Sequence, residues 1–189
     1  MNFSIDIEKA LEVLKKGGII LYPTDTIWGL GCDATNENAV NRIYDIKQRD
    51  DSKSMLILLP NEGRLDAYVN EVPEMAYQLI EYSEKPITII YPRAKNIAKN
   101  LIASDGSVGI RIVKDPFCQQ LLERFRKPIV STSANISGKA SPTIFDEIEP
   151  EIISKVDYTV EWRRNDKQKA KPSSIVQLGL GGEIKIIRE

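Results

Sequence analysis

Tyr22-Pro23-Thr24-Asp25-Thr26-Ile27-Trp28-Gly29-Leu30-Gly31-Cys32-Asp33 is the stretch on which the reading of this chain turns. The run that feeds it, Gly18-Ile19-Ile20-Leu21-Tyr22, is short, apolar and β-rich, the pattern of a buried strand. Pro23 removes a ladder donor, so the strand stops or meets a sheet edge there. Side chains alternate along extended backbone, which would turn the Thr24 and Thr26 hydroxyls to one face. Gly29 and Gly31 permit either unusual dihedrals or close approach of another group to the backbone. Hydroxyls, an acid and glycines after an apolar strand describe the lip of a pocket. A plain glycine-containing turn, its threonines satisfying backbone donors locally, is written in the same letters.

Outward from the lip, strands and helices alternate. Upstream, Ile7, Ala10, Leu11 and Leu14 recur at helical spacing within residues 5–16, and Gly17-Gly18 ends that helix. Downstream, residues 37–47 place Val40, Ile43 and Tyr44 on one helical face, with Asn36 at the N-cap. Met55 to Leu59 and Ile87 to Tyr91 are apolar strands bounded by Pro60, Pro86 and Pro92, with a helical segment at Glu74 to Ile80 between them. A strand at 107–112, a helix at 116–126 and a strand at 128–133 repeat the alternation. A helix over 145–155 and closing strands at 156–160, 174–178 and 184–187 complete the expectation. The fold class is α/β; some connections are too short for helical crossovers, so the twisted sheet is mixed.

The chain has 189 residues, 42% hydrophobic and 28% charged, which suits one globular domain spanning 1–189. No apolar run approaches the roughly 20 residues of a membrane helix, and the N-terminus has no basic-then-apolar leader. Cys32 and Cys118 are far apart and form no metal-ligand spacing; cytoplasm is the expected location, with no membrane partner. There is no histidine, which excludes Ser-His-Asp and Cys-His catalytic units and His-ligated zinc. The net charge of −1 leaves nucleic-acid binding to a local patch. Neither a P-loop lysine motif nor Gly-x-Gly-x-x-Gly is present.

The remaining chemistry rests on cations and hydroxyls. Lys47, Arg49 and Lys53 lie at a helix end just before a strand, where a short loop would bring them beside the lip; favourable charge at a helix C-terminus explains them equally well. Arg111 interrupts the apolar strand Val108-Gly109-Ile110-Arg111-Ile112, and a buried arginine needs an anionic partner. Ser131-Thr132-Ser133-Ala134-Asn135-Ile136-Ser137 follows a strand, where α/β sheets present binding loops and where capping and turns use the same residues. The charge-dense segment Arg163 to Lys171 has no apolar periodicity and is expected as an exposed loop, an anion-facing lid being the sharper alternative.

Together these segments resemble the Sua5/YrdC/YciO family across essentially the whole chain. The resemblance is carried by residues 17–34, Lys47-Gln48-Arg49, Val108 to Ile112, Ser131 to Gly138 with Ser141-Pro142-Thr143, and Ser173 to Val176. It implies a twisted sheet with flanking helices and a concave, positively lined cavity. It implies threonylcarbamoyl-AMP synthesis from L-threonine, bicarbonate and ATP with Mg²⁺ held through the ATP, pyrophosphate being the second product. The product would serve N6-threonylcarbamoyladenosine formation at tRNA position 37 through a downstream threonylcarbamoyl transferase complex.

Carried over by position, Lys47, Arg49 and Arg111 are the implied catalytic cations. Thr26, Arg111 and Ser131 are the implied threonine contacts, Arg111 taking the carboxylate. Arg49, Lys53, Ser107, Ser133, Asn135, Ser141, Ser173 and Arg188 are the implied ATP contacts. The chain departs from the family pattern at Asp50 and Ser54, at Ser83 to Thr88, at Glu161-Trp162-Arg163-Arg164 and at Pro172-Ser173-Ser174. Two alternatives stand beside the synthase. One is a YciO-like paralogue that binds double-stranded RNA or tRNA without synthase activity. The other is a carbamoyl-AMP-forming domain like those of larger carbamoyltransferases, against which the end of the chain at Glu189 is taken to argue.

Overall fold

The computed structural model describes residues 3–48 and 55–189. Helix α1 (Ser4–Lys15) buries Ile7, Ala10, Leu11 and Leu14, the positions its periodicity marks. It ends at Gly17, whose φ of +76° is a left-handed conformation that glycine adopts without a Cβ penalty. Strand β1 (Ile20–Tyr22) then leads through the lip into a strand absent from the sequence reading, β2 (Gly29–Gly31). The two pair antiparallel, with Ile20 opposite Gly31 and Tyr22 opposite Gly29, so the lip is the bend of a hairpin. The glycines serve close packing here. A Cβ on Gly31 would lie 2.6 Å from Tyr22 Cε1 and 2.9 Å from the Val130 carbonyl oxygen.

Helix α2 (Glu37–Lys47) starts where expected, because the Asn36 side chain accepts from the Ala39 N–H. Such a cap contributes about 1 kcal/mol. Strand β3 (Leu56–Leu59), α3 (Glu74–Tyr82), β4 (Ile87–Tyr91), β5 (Val108–Ile112), α4 (Pro116–Phe125) and β6 (Ile129–Ser133) follow. Short 3₁₀ turns at Glu62–Ala67 and Lys99–Leu101 fill connections in which the sequence suggests no element. The single helix expected over 145–155 is broken: a 3₁₀ turn at Phe145–Glu147 and helix α5 (Pro150–Lys155) are separated by extended Ile148 and Glu149. Pro150 is the cause, since its ring disfavours helical geometry at the residue before it. The strand expected at 156–160 shrinks to β7 (Tyr158–Thr159), and β8 (Ser174–Leu178) and β9 (Ile184–Arg188) close the chain.

The strands form one mixed sheet of nine among the described residues, in the order β7-β1-β2-β6-β3-β5-β4-β8-β9. Three pairs are parallel (β1 with β7, β3 with β5, β4 with β8) and the other pairs of the sheet are antiparallel. Alternation along the strands divides the core. Leu21, Ile57, Leu59, Ile89 and Ile110 pack with α2, while Ile20, Tyr22, Leu58 and Ile129 pack with α1 and α4 on the other face. No residue of β4, β8 or β9 is among the buried members of that second cluster. The face covered by α1 and α4 is therefore bare toward β4 and β8. No described helix is long and apolar enough to cross a membrane.

Candidate active site

A cavity of about 270 Å³ occupies this bare part of the sheet. The register shows why its floor is polar. In β5 the residues Val108 and Ile110 face the α2 core, so Gly109 and Arg111 face the opposite way. On the same face, cross-strand pairing sets Ile90 opposite Gly109, Thr88 opposite Ile175, Leu56 opposite Ser131 and Ser133 opposite Gly29, all of which line the cavity. Gly29 packs closely on β6, where an added Cβ would lie 3.2 Å from the Thr132 carbonyl oxygen and 3.3 Å from Ser131 Oγ. Thr26, Ile27 and Trp28 of the lip form one wall, and Ser141, Pro172, Ser173 and Arg188 complete the ring.

Arg111 is 3% exposed and sits against the lip. Its Nη2 lies 3.2 Å from Asp25 Oδ1, the anionic partner its burial demands, and 3.4 Å from Thr24 Oγ1. The Asp25 contact is an ion pair without hydrogen-bond alignment: Asp25 Oδ1 and Arg111 Nε–H have no hydrogen-bond partner among the described residues. A guanidinium with an unused N–H beside serine hydroxyls is suited to a carboxylate or phosphate. The lip is held by its own threonines. Thr24 Oγ1 donates to the Ile27 carbonyl at 2.9 Å and accepts from the Thr26 N–H at 3.1 Å. With the Thr24 proton so used, the Thr26 hydroxyl donates across their 2.9 Å contact, leaving its lone pairs for a ligand.

At the opposite end, Arg188 Nε and Nη2 donate to the Ser173 carbonyl at 3.0 and 2.7 Å, and the Ser173 and Thr88 hydroxyls meet at 2.8 Å. Burial, and then the Arg111 charge, pull the Arg188 pKa below its ordinary value, so the two guanidiniums share one electrostatic environment. They are the charged residues among the described lining. Ser107 is fixed by its N–H donating to Asp105 Oδ1 at 3.0 Å. Neither cysteine supplies a nucleophile: both are buried, and burial pushes both thiols up.

Of the residues singled out from sequence, Thr26, Ser107, Arg111, Ser131, Ser133, Ser141, Ser173 and Arg188 line this cavity. Arg49 and Lys53, with Asp50 and Ser54, lie outside the described residues. Lys47 and Asn135 are not among the described lining. Lys47 is 1% exposed at the end of α2. Its ammonium donates to the Ser133 and Asn135 carbonyls at 2.5 and 2.7 Å and approaches Asn135 Oδ1 at 3.4 Å. Asn135 Nδ2 in turn donates to the Ile136 and Lys139 carbonyls. Together they tie the end of β6 and the loop that follows it to the end of α2.

Two participants escaped the sequence reading. Thr88 sits in an otherwise apolar strand, the same signal that exposed Arg111. Asp25 was visible in the lip but had no assigned partner. The segment Arg163 to Lys171 is also less solvated than expected. Arg163 Nη1 donates to the Thr24 carbonyl at 3.0 Å, and Arg164 donates to the Val160 carbonyl at 2.9 Å with its guanidinium 5.5 Å from the Phe145 ring. Lys167 pairs with Asp146.

The family model Sua5_yciO_yrdC, described as telomere recombination, matches residues 12–189. The chain is 35% identical over 164 residues to a threonylcarbamoyl-AMP synthase of Pseudoalteromonas translucida, covering 85% of this chain and 88% of that one. Its structure is similar to E. coli YciO, with a TM-score of 0.84 and 26% identity, over 100% of this chain and 90% of that one. It is also similar to P. abyssi Sua5 complexed with L-threonine, with a TM-score of 0.81 and 26% identity. That match covers 91% of this chain but 50% of the other, so the chain spans about half the length of the Sua5 protein.

Proposed function

The chain belongs to the Sua5/YciO/YrdC family, and from that premise we propose that it is a threonylcarbamoyl-AMP synthase acting on L-threonine, bicarbonate and ATP. The observation that carries the reading is Arg111, a buried cation with an unused N–H lining a cavity of hydroxyls, in a fold shared with a relative complexed with L-threonine. Arg111 takes the amino-acid carboxylate, with Thr26 and Ser131 beside it. The hydroxyls of Ser107, Ser133, Ser141 and Ser173, with Arg188, receive the nucleotide; Arg49 and Lys53 would add charge to its phosphates.

The chemistry asks for no protein nucleophile. The threonine amine attacks bicarbonate, losing water, to give a carbamate; a carbamate oxygen then attacks the α-phosphorus of ATP, and the bond to pyrophosphate breaks. The chain's part is to align carbamate and phosphate and to balance their charge with fixed guanidiniums and hydroxyls. Magnesium fits as part of the nucleotide: the described lining offers hydroxyls and arginines and no carboxylate, a donor set for anionic oxygens. When bound, the ion supplies charge neutralisation on the phosphates.

The product is a mixed anhydride that an acyl-accepting enzyme must consume, here a transferase that modifies tRNA. Purified protein with Mg²⁺-ATP should release pyrophosphate only when threonine and bicarbonate are both present. Pyrophosphate release no greater than in a no-threonine control overturns the assignment. Salt-sensitive binding of double-stranded RNA under those conditions would transfer the protein to the noncatalytic reading.

A further inference from the structure

We propose that Arg163 is a positioning residue for the amino-acid end of the cavity: it clamps the lip in the conformation that presents Thr26 and Asp25 to Arg111. The first observation is backbone geometry. Arg163 has φ +64°, a left-handed conformation that is unfavourable for any residue with a Cβ and that it shares among the described residues with Gln48, Arg93, Asn96 and Arg126. The contacts around Arg163 offset that cost.

The second observation is the contacts themselves. The Arg163 guanidinium reaches three elements: Nη1 donates to the Thr24 carbonyl at 3.0 Å and lies 3.6 Å from Asp115 Oδ2, while Nε pairs with Asp166 Oδ2 at 3.1 Å. Asp115 is itself fixed as the N-cap of α4, accepting from the Cys118 N–H at 2.9 Å. One fork thus ties the lip backbone to α4 and to the segment's own turn, and the side chain is 28% exposed, a clamp at the rim rather than a surface charge.

The third observation is that the root of the clamp is rigid. Buried Asp6 of α1 accepts from the Glu161 and Trp162 N–H groups at 2.9 Å each and from the Tyr158 hydroxyl, and Trp162 packs on Phe3 with ring centroids 5.2 Å apart. On the far side Arg164 lies against Phe145, which contacts Trp28 at 4.9 Å between ring centroids. The lip is gripped at Thr24 and at Trp28, the two ends of the span that carries Asp25 and Thr26. Because Thr24 Oγ1 organises Thr26 and touches Arg111, a displaced Thr24 carbonyl would move the threonine-facing donors together.

The kinetic arm of this inference rests on the synthase reading, so the test pairs it with a measurement that does not. Arg163→Gly removes the clamp while relieving the backbone, and Arg163→Lys retains a donor. In Arg163→Gly, amide hydrogen exchange over residues 24–28 should rise about fivefold or more while exchange in strands β3 and β5 stays at the wild-type rate, which separates a local release of the lip from global destabilisation. Threonine KM should rise about tenfold with ATP KM within about twofold, and Arg163→Lys should recover part of both effects. Unchanged exchange at 24–28, an equal rise in both KM values, or an Arg163→Lys variant no better than Arg163→Gly overturns the clamp. Altered exchange in a protein that releases no threonine-dependent pyrophosphate would uphold the clamp and overturn the synthase reading.

Discussion

Replacing Arg111 by Gln separates what this residue does for the fold from what it does for a ligand. Arg111 and Asp25 side chains are 4% and 10% exposed, 3.2 Å apart, and Asp25 Oδ1 has no hydrogen-bond donor to replace the guanidinium. Removing one member of a buried ion pair costs about 3–5 kcal/mol, because the surviving charge stays buried without compensation. For a chain of 189 residues each kcal/mol moves the unfolding temperature by roughly 2–4 °C, so Arg111→Gln should unfold roughly 6–20 °C below wild type. The double variant Asp25→Asn with Arg111→Gln leaves no unpaired charge and should recover at least half of that loss.

Ligand binding should not recover. Loss of a buried charged partner to the threonine carboxylate costs about 2–5 kcal/mol, roughly 30-fold to several thousand-fold in affinity. Calorimetric unfolding of the three proteins, with threonine titration of each, reads both quantities. A drop below about 3 °C in Arg111→Gln, or threonine binding restored in the double variant, would refute the dual role.

Lys47→Met should destabilise by about 3–5 kcal/mol, since the Ser133 and Asn135 carbonyls each lose a charged donor, and urea unfolding should show the loss without a change in threonine affinity for whatever fraction remains folded. Gly31→Ala should cost about 3 kcal/mol or more, because the added Cβ would press on the Val130 carbonyl oxygen at 2.9 Å, which cannot rotate away; a variant with unaltered midpoint would contradict the packing. Asp105 has its pKa lowered, chiefly by the Ser107 side-chain hydrogen bond, so its folded value lies below its unfolded one. The stability it contributes is fully present above the ordinary aspartate range near pH 3.9 and is lost as pH falls through the lower folded value. The difference in unfolding temperature between wild type and Asp105→Asn should therefore be constant at neutral pH and shrink below about pH 4; a difference that grows there reverses the sign of the argument.

Periodicity marked α1, α2, α4 and most strands, and Asn36 marked the start of α2, because those features depend on neighbours within one turn or one pleat. Arg111, which lines the cavity, was legible as anomalous for the same reason: a charge inside an apolar strand stands out wherever that strand goes. Strand β2 was not legible, since Gly-Leu-Gly has no strand propensity and pairs only because Tyr22 and β6 provide a surface close enough to require glycine. The split of the 145–155 helix was written in Pro150, though a helical pattern across it concealed the break.

Lys47 shows the opposite limit. Its sequence neighbours marked it as a cation at a helix end, and nothing local distinguishes an ammonium facing a ligand from one buried beneath the carbonyls of a loop 86 residues away. By itself the sequence determined the alternation of strands and helices, the absence of histidine chemistry and the identity of the hydroxyls and of Arg111. Only the tertiary structure decided that the lip is a hairpin bend, that Asp25 is the partner of Arg111 and that Arg163 grips Thr24. The Asp25–Arg111 and Thr24–Arg163 contacts join residues 86 and 139 positions apart, so they exist only once the sheet has set its order and register, whereas the hairpin spans 7 to 11 positions and is hidden because Gly-Leu-Gly carries no strand signal.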